Sequence, residues 1–204
     1  MTTPQLIGPG ENSITRLWET AFALSQIDLN GIARSMTTPV AGPQHEFVAL
    51  DSVLSDPEAL QHAFADAMDA LEERHGRNGG IPAYGLADAF SSTATRRPTR
   101  TIRMTAQVWR EGFEVPQHSS PADLIGWCFL YATKPRHEDS GSVSYLDPRA
   151  GSEGTAMPGL PWGRETTFRP SPGLLSVAPG WLSSTVRPLE DGQLVIAVAA
   201  MTTA

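Results

Sequence analysis

The chain has one cysteine, Cys128, and one lysine, Lys134, in 204 residues. A single thiol excludes an internal disulfide and a thiolate metal cluster, because either needs a second sulfur. Placed in the apolar run from Leu124 to Leu130, that thiol is expected to be buried and inert. Positive charge is scarce. Fifteen Lys and Arg stand against 22 Asp and Glu, a formal net charge of -7, which argues against a nucleic-acid partner. Arg96, Arg97, Arg100 and Arg103 cluster, but the cluster is short, and a solvated strand edge is favoured over a phosphate-binding patch. No apolar stretch is long enough to span a bilayer. The start, Met1 to Pro4, lacks the basic-then-apolar pattern of a secretion signal. Internal repeats, low-complexity tracts and a Gly-rich phosphate loop opening a helix are also missing. These absences predict a soluble, cytoplasmic protein without membrane or nucleic-acid partners.

What is present concentrates in the second half. From Arg169 to Met201, short apolar runs (Leu174 to Val177, Leu194 to Val198) alternate with Pro/Gly turns (Pro170 to Gly173, Ala178 to Gly180, Glu190 to Gly192). That texture reads as antiparallel strands of a barrel or sandwich. Residues 101–109 alternate, with Ile102, Met104, Ala106 and Val108 on one face and Arg103, Thr105, Gln107 and Trp109 on the other. Residues 124–133 lack polar alternation and are expected to be buried on both faces. Further strands are expected at 142–146 and 165–169, with a Gly/Pro loop over 151–163.

The first half is less regular. Residues 1–13 are turn-rich. A strand is expected near 14–22, a short helix over 24–36, a loop at 37–44, and 47–54 fits either type. The clearest helix covers 57–75: Asp56 can cap it, Pro57 suits its first position, and Leu60, Phe64, Met68 and Leu71 form an apolar stripe. Residues 77–99 read equally as a lid or a surface connection. The length suits one domain over 1–204. Its parts are a helical and irregular segment, 1–99, and a β core, 100–201.

Several pieces of the β core resemble one family in order and spacing. They are Ile102 to Trp109 followed by Glu111-Gly112; Pro116 to Pro121 followed by Gly126 to Tyr131; Ser140 to Val143 leading to Leu146-Asp147-Pro148-Arg149; and the turns at Pro172-Gly173 and Pro179-Gly180. Apart from a small deletion after Pro121, the set resembles the iron(II)/2-oxoglutarate oxygenases of bacteria. The resemblance implies an α+β, mainly β fold: a double-stranded β-helix, or jelly-roll/cupin-like barrel, with N-terminal helices packed on its outside. It also implies a site. Such enzymes hold ferrous iron with a histidine, a second His or Asp two residues on, and a distal histidine. An arginine opening the last strand pairs with the co-substrate carboxylate. Here His118 fits the first position, but Ser120, Ser184 and Gln193 fall at the others. One of four expected groups remains, so the resemblance implies the fold and argues against the iron chemistry. Asp123 and the run His137-Glu138-Asp139 are the alternative ligands, and a solvated loop is favoured for the latter.

Without a metal or other cofactor, the mouth of the barrel is the expected pocket. His118 is the candidate acid or base, since imidazole is the side chain suited to proton transfer near neutral pH. A histidine merely bonded to nearby backbone is an equal alternative. Gln107, Trp109, Tyr131, Arg149, Ser184, Arg187 and Gln193 are the candidate substrate-binding residues. Arg149 would accept an anion or brace its own turn. No Gly-x-Ser-x-Gly elbow surrounds Ser184, which argues against a serine nucleophile. The leading expectation is a metal-independent enzyme acting on a small polar or anionic metabolite, by acid/base-assisted elimination or cyclisation in natural-product biosynthesis. A non-catalytic partner subunit or small-molecule binder in a homo- or hetero-oligomer is the alternative. An oxygenase with a divergent metal site comes third. A filled barrel would favour the non-catalytic reading, and a histidine buried in a polar cavity the enzyme.

Overall fold

In the computed structural model, the described residues are 12–17, 20–35, 41–77, 101–146 and 165–203. The expectations for 1–11, 78–100 and 147–164, and for Arg149, lie outside them. The elements run β1 (Asn12–Leu17), β2 (Thr20–Gln26), β3 (His45–Val48), α1 (Leu50–Val53), α2 (Pro57–Arg77), β4 (Thr101–Arg110), β5 (Val115–His118), β6 (Leu124–Ala132), β7 (Val143–Tyr145), β8 (Thr166–Phe168), β9 (Leu174–Pro179), β10 (Ser184–Val186) and β11 (Leu194–Thr203). A seven-stranded sheet has the order β1-β2-β9-β6-β11-β4-β3, and a four-stranded sheet the order β5-β10-β7-β8. All pairings are antiparallel.

The chain from β4 onward crosses between the two sheets. β4, β6, β9 and β11 lie in the large sheet, and β5, β7, β8 and β10 in the small one. That arrangement, four strands facing four with a central β11, is a double-stranded β-helix. β1, β2 and β3 extend the large sheet at its two edges. β11 holds the large sheet together. It pairs with β4 from Leu194↔Arg110 to Thr203↔Thr101, and on its other side with β6.

Two cores follow from the alternation of side chains on β4, β6, β9 and β11. On the outer face, Ala106, Val108, Cys128, Leu130, Leu175, Val177, Ile196 and Val198 share a buried cluster with Leu60, Phe64, Ala67, Met68 and Leu71 of α2. The capping expectation for α2 is met in geometry: Ala59 N–H donates to Asp56 Oδ1 at 2.9 Å. The helix approaches closely because β6 has no side chain under Phe64. A Cβ on Gly126 would lie 2.8 Å from the Phe64 ring. His62 is exposed. On the inner face, between the sheets, Phe22, Trp109, Phe113, Phe129, Tyr145 and Phe168 pack with Val143, Leu182, Val186, Leu189, Val195 and Ala197.

Two expectations in the first half need correction. Of the expected helix 24–36, the described residues 24–35 do not form a helix. Thr20–Gln26 is a strand, and a turn follows. Phe22 and Leu24 face the inner core while Ala23 faces the outer one. Pairing with β9 from Ala23↔Val177 to Gln26↔Leu174 satisfies this backbone, so tertiary pairing decides over local propensity. The strand expected near 14–22 is a hairpin of two strands. The ambiguous stretch 47–54 contains the end of β3 and the single turn α1.

Leu71 is fully buried, so Leu71→Ala should destabilise the protein by roughly 2–4 kcal/mol, read as a lower denaturation midpoint. Alkali should also destabilise it. Burial pushes the Cys128 thiol from 9.0 up to about 12. Burial likewise pushes the Tyr145 hydroxyl from 10.0 up to about 12, against a smaller opposing effect of Ser176. Both groups hold their protons more tightly folded than unfolded. The stability this confers is complete below the unfolded pKa values and is lost as pH rises through them toward 12. Urea midpoints should therefore be flat up to about pH 8 and fall beyond about pH 9, with Cys128→Ala removing the earlier part of the fall.

Candidate functional site

The barrel has a filled end and a mouth. At the filled end Trp109 stacks on Phe113 with ring centroids 5.1 Å apart, and Phe129 meets Trp109 edge-on at 6.0 Å. β5 leaves this end, with Val115 opposite Val186, and runs to the mouth, where His118 lies opposite Ser184. Ser184 is in turn opposite Tyr145. Directly opposed residues share a face of the sheet, so His118, Ser184 and Tyr145 form one row across the inner face. From the large sheet, Trp127 and Ser176 are opposed, as are Trp127 and Ala199, and Ala199 and Thr105. Thr105, Trp127 and Met201 are half-buried. These residues share the inner face toward that end of the barrel, with Ser176 fully buried.

The loop carrying His118 is fixed against the turn at Pro179-Gly180. Ser120 N–H donates to Gly180 O at 2.8 Å, and Gly180 N–H donates to Asp123 O at 2.9 Å. Glycine is required there by approach alone: a Cβ on Gly180 would fall 1.8 Å from Ala122 O. His118 is exposed, with Nδ1 3.2 Å from Pro116 O. It sits at the rim and not in a polar cavity.

The other expected site residues divide. Gln107 and Trp109 face inward as anticipated. Gln107 Oε1 accepts from Trp109 Nε1 at 3.0 Å and lies 3.0 Å from His45 Nε2. His45 itself packs on Phe113 and Phe47, so this amide knits β3 to the barrel wall. Ser184 is buried at the mouth.

Tyr131, Arg187 and Gln193 are not brought there. The β6–β11 register shifts between Ile196 and Ala197, so that Tyr131 opposes Ile196 while Phe129 opposes Ala197. This bulge at Leu130 turns Tyr131 to the outer face, against the simple alternation. Arg187 pairs with Asp139 at 3.5 Å and with Glu165, following Thr185 on the outer side of the small sheet. Gln193 is buried but braces loops. It accepts from Ser140 Oγ and from Glu190 N–H, and donates to Ser140 O. A shallow cavity beside Gly42 and Asp191 is lined by Arg110, whose guanidinium is engaged by Glu46 at 3.1 Å and by Pro43 O.

Among the described residues, the donors around His118 do not fit ferrous iron. The row opposite His118 holds a neutral hydroxyl. Ser120 Oγ is used by its own turn, accepting from Ala122 N–H at 3.2 Å. Among the described residues no group of three or more His, Cys, Asp or Glu is placed to hold a metal ion. Of the alternative ligands, Asp139 pairs with Arg187 and Glu138 with Arg169. His137 and Asp123 are exposed.

Sequence reasoning missed Trp127, Tyr145 and Ser176. Tyr145 and Ser176 are fully buried, one on each sheet. Their hydroxyls are close enough to influence one another, yet neither has a partner at hydrogen-bonding geometry. Alternation along 142–146 offered a signal, since Val143 and Tyr145 share a face, but which face is inner is set only by pairing.

No family model matches the sequence, and no curated protein matches it. Solved structures do resemble it in part. An oxidoreductase of the 2OG-Fe(II) oxygenase family from Burkholderia pseudomallei is 15% identical over 53% of this chain and 47% of its own, with a TM-score of 0.37. A prolyl-4-hydroxylase from Pseudomonas putida is 14% identical over 49% of this chain and 50% of its own, with a TM-score of 0.38. A cupin domain from Bordetella pertussis is 13% identical over 54% of this chain and 88% of its own, with a TM-score of 0.32. The matches thus span about half the length of the two oxygenase-type structures. Its own strand order, with β4 to β11 divided between two facing sheets, makes this chain a double-stranded β-helix.

Proposed function

We propose that the chain is a non-catalytic, metal-independent barrel that binds a small polar metabolite at its mouth. The observation that carries this reading is the pairing of Ser184 with His118. The position where a second imidazole would complete a ferrous site holds a neutral hydroxyl, and a serine hydroxyl stays protonated near neutral pH. One imidazole supplies one bond, whereas sites of this type use three protein ligands. The packed aromatic interior below the mouth supports binding over catalysis, because it leaves no polar chamber around His118. Trp127, half-buried and directly opposite Ser176, supplies an aromatic wall for a ligand.

An acid/base enzyme acting by elimination or cyclisation is the second reading. Its support is that His118 is accessible at the rim with the Ser184 hydroxyl across from it. Among the described residues His118 has no ion-pair partner that would orient it for proton transfer.

Purified protein given ferrous iron and 2-oxoglutarate should retain far less than one equivalent of iron and release no succinate. Near-stoichiometric iron with succinate formation would overturn the reading. A metabolite that co-purifies should be recovered unchanged after prolonged incubation. Conversion that disappears in His118→Ala but persists with a chelator would establish the enzyme instead.

A further inference from the structure

The large sheet presents an open shelf at the mouth. β4 begins at that end, because its last residue, Arg110, is opposite Leu194 at the filled end. Ile102 and Met104 pack on the outer, helix-covered cluster. Arg103 and Thr105 alternate with them and so face inward. The register carries this face across three strands. Arg103 is opposite Met201, and Met201 is opposite Ile125. One step deeper, Thr105 is opposite Ala199, and Ala199 is opposite Trp127. Arg103 is exposed, and Thr105, Trp127 and Met201 are half-buried. Ala197 and Phe129, the next row on the same face, are fully buried. The six residues therefore form a surface open to solvent, floored by the packed interior.

Two features of this shelf point to a ligand. The first is its shape. Ala199 puts only a methyl group between Thr105 and Trp127, so the shelf dips beside the indole. An edge contact with Trp109, with centroids 5.2 Å apart, holds that indole in place. The second is its charge. Arg110, Arg169 and Arg187 each pair with a carboxylate. Among the described residues, no ion pair or side-chain hydrogen bond engages Arg103 or Thr105. The chain has 22 Asp and Glu against 15 Lys and Arg, yet the shelf itself carries no acid.

A guanidinium is a planar fork of donors that matches a carboxylate. Thr105 stands about 7 Å from Arg103 along β4, within reach of the same anion. One guanidinium balances one carboxylate. A phosphate dianion would be left half-compensated on a chain of formal net charge -7, which repels excess negative charge.

We propose that Arg103, Thr105 and Trp127 form a subsite for a monocarboxylate with a flat apolar body. The carboxylate takes the Arg103 guanidinium and the Thr105 hydroxyl. The body lies over Ala199, against Trp127 and Met201. This assigns a ligand class to the mouth, and it rests on the reading that the mouth binds a metabolite.

Benzoate, a minimal acid of this class, is the probe, and neutral benzamide is its uncharged counterpart. Both are titrated into the purified protein and followed by ligand-observed NMR. Benzoate should bind about tenfold more tightly than benzamide, the value of a charge-assisted contact at a half-open site. Arg103→Gln should bring benzoate down to the level of benzamide and leave the urea midpoint unchanged, because the side chain it replaces is exposed. Trp127→Leu should weaken both probes. Equal binding of the two probes, or benzoate binding untouched by Arg103→Gln, would overturn the carboxylate assignment while leaving a mouth that binds neutral metabolites. Inorganic phosphate held more tightly than benzoate would overturn it too. Absence of saturable benzoate binding would overturn the subsite itself. The reading beneath it fails by different signs, namely succinate release or conversion of a co-purified metabolite.

Discussion

The structure depends on one strand, β11, with its ten-residue register on β4 and its antiparallel pairing with β6 on the other side. A strand bonded on both edges must present useful side chains on both faces, because neither face meets water. Ile196, Val198 and Ala200 go to the helix-covered core, while Val195 and Ala197 go to the barrel interior. Slipping this strand by one residue would exchange the two sets. The outer core would then receive the residues that fit under Trp109 and Phe129. The fixed register also sets the height of every inward residue on the neighbouring strands, and so decides which lie at the mouth.

Much of this was legible because the residues serve a periodic purpose. The alternation at 101–109 and the stripe on α2 need only a period and a capping residue, and both are encoded locally. The apolar run at 194–198 announced β11, although its polar end, Met201 to Thr203, was not read as strand. Pairing of Thr202 with Ile102 and Thr203 with Thr101, with Leu124 N–H donating to Thr202 Oγ1, keeps it extended. The stretch after Leu24 failed for the same reason in reverse. Its spacing allows a helix, but β9 offers the edge of a sheet, and four successive pairs fix the extended form.

The candidate site was legible to the extent that it depends on strand order. The β5–β10 register sets His118 opposite Ser184. It was illegible where a side chain's direction depends on an irregularity. Tyr131 reads as inward until the bulge at Leu130 is known. Gln193 and Arg187 lie just beyond strand ends, where alternation no longer governs, and nearby partners claim them: Ser140 and Glu190 for one, Asp139 and Glu165 for the other. Tyr145 and Ser176 could not be paired from sequence at all, since they belong to different sheets.

The interior and the donor set are two sides of one physical condition. A barrel lined by two imidazoles and a carboxylate, or by three imidazoles, carries polar groups that need a metal or water to satisfy them, and an interior left open for that purpose forgoes packing. Here Ser184 asks for one hydrogen bond and no counter-charge. The space below it is closed by Trp109, Phe113, Phe129 and Phe168 in edge-on and stacked contacts, each adding to the area they bury. Such a barrel reaches its stability from its own side chains. The polar groups that remain, Gln107, Ser176, Tyr145 and Ser184, are all neutral. Gln107 is already satisfied by Trp109 and His45. The exposed His118 stands outside this buried set.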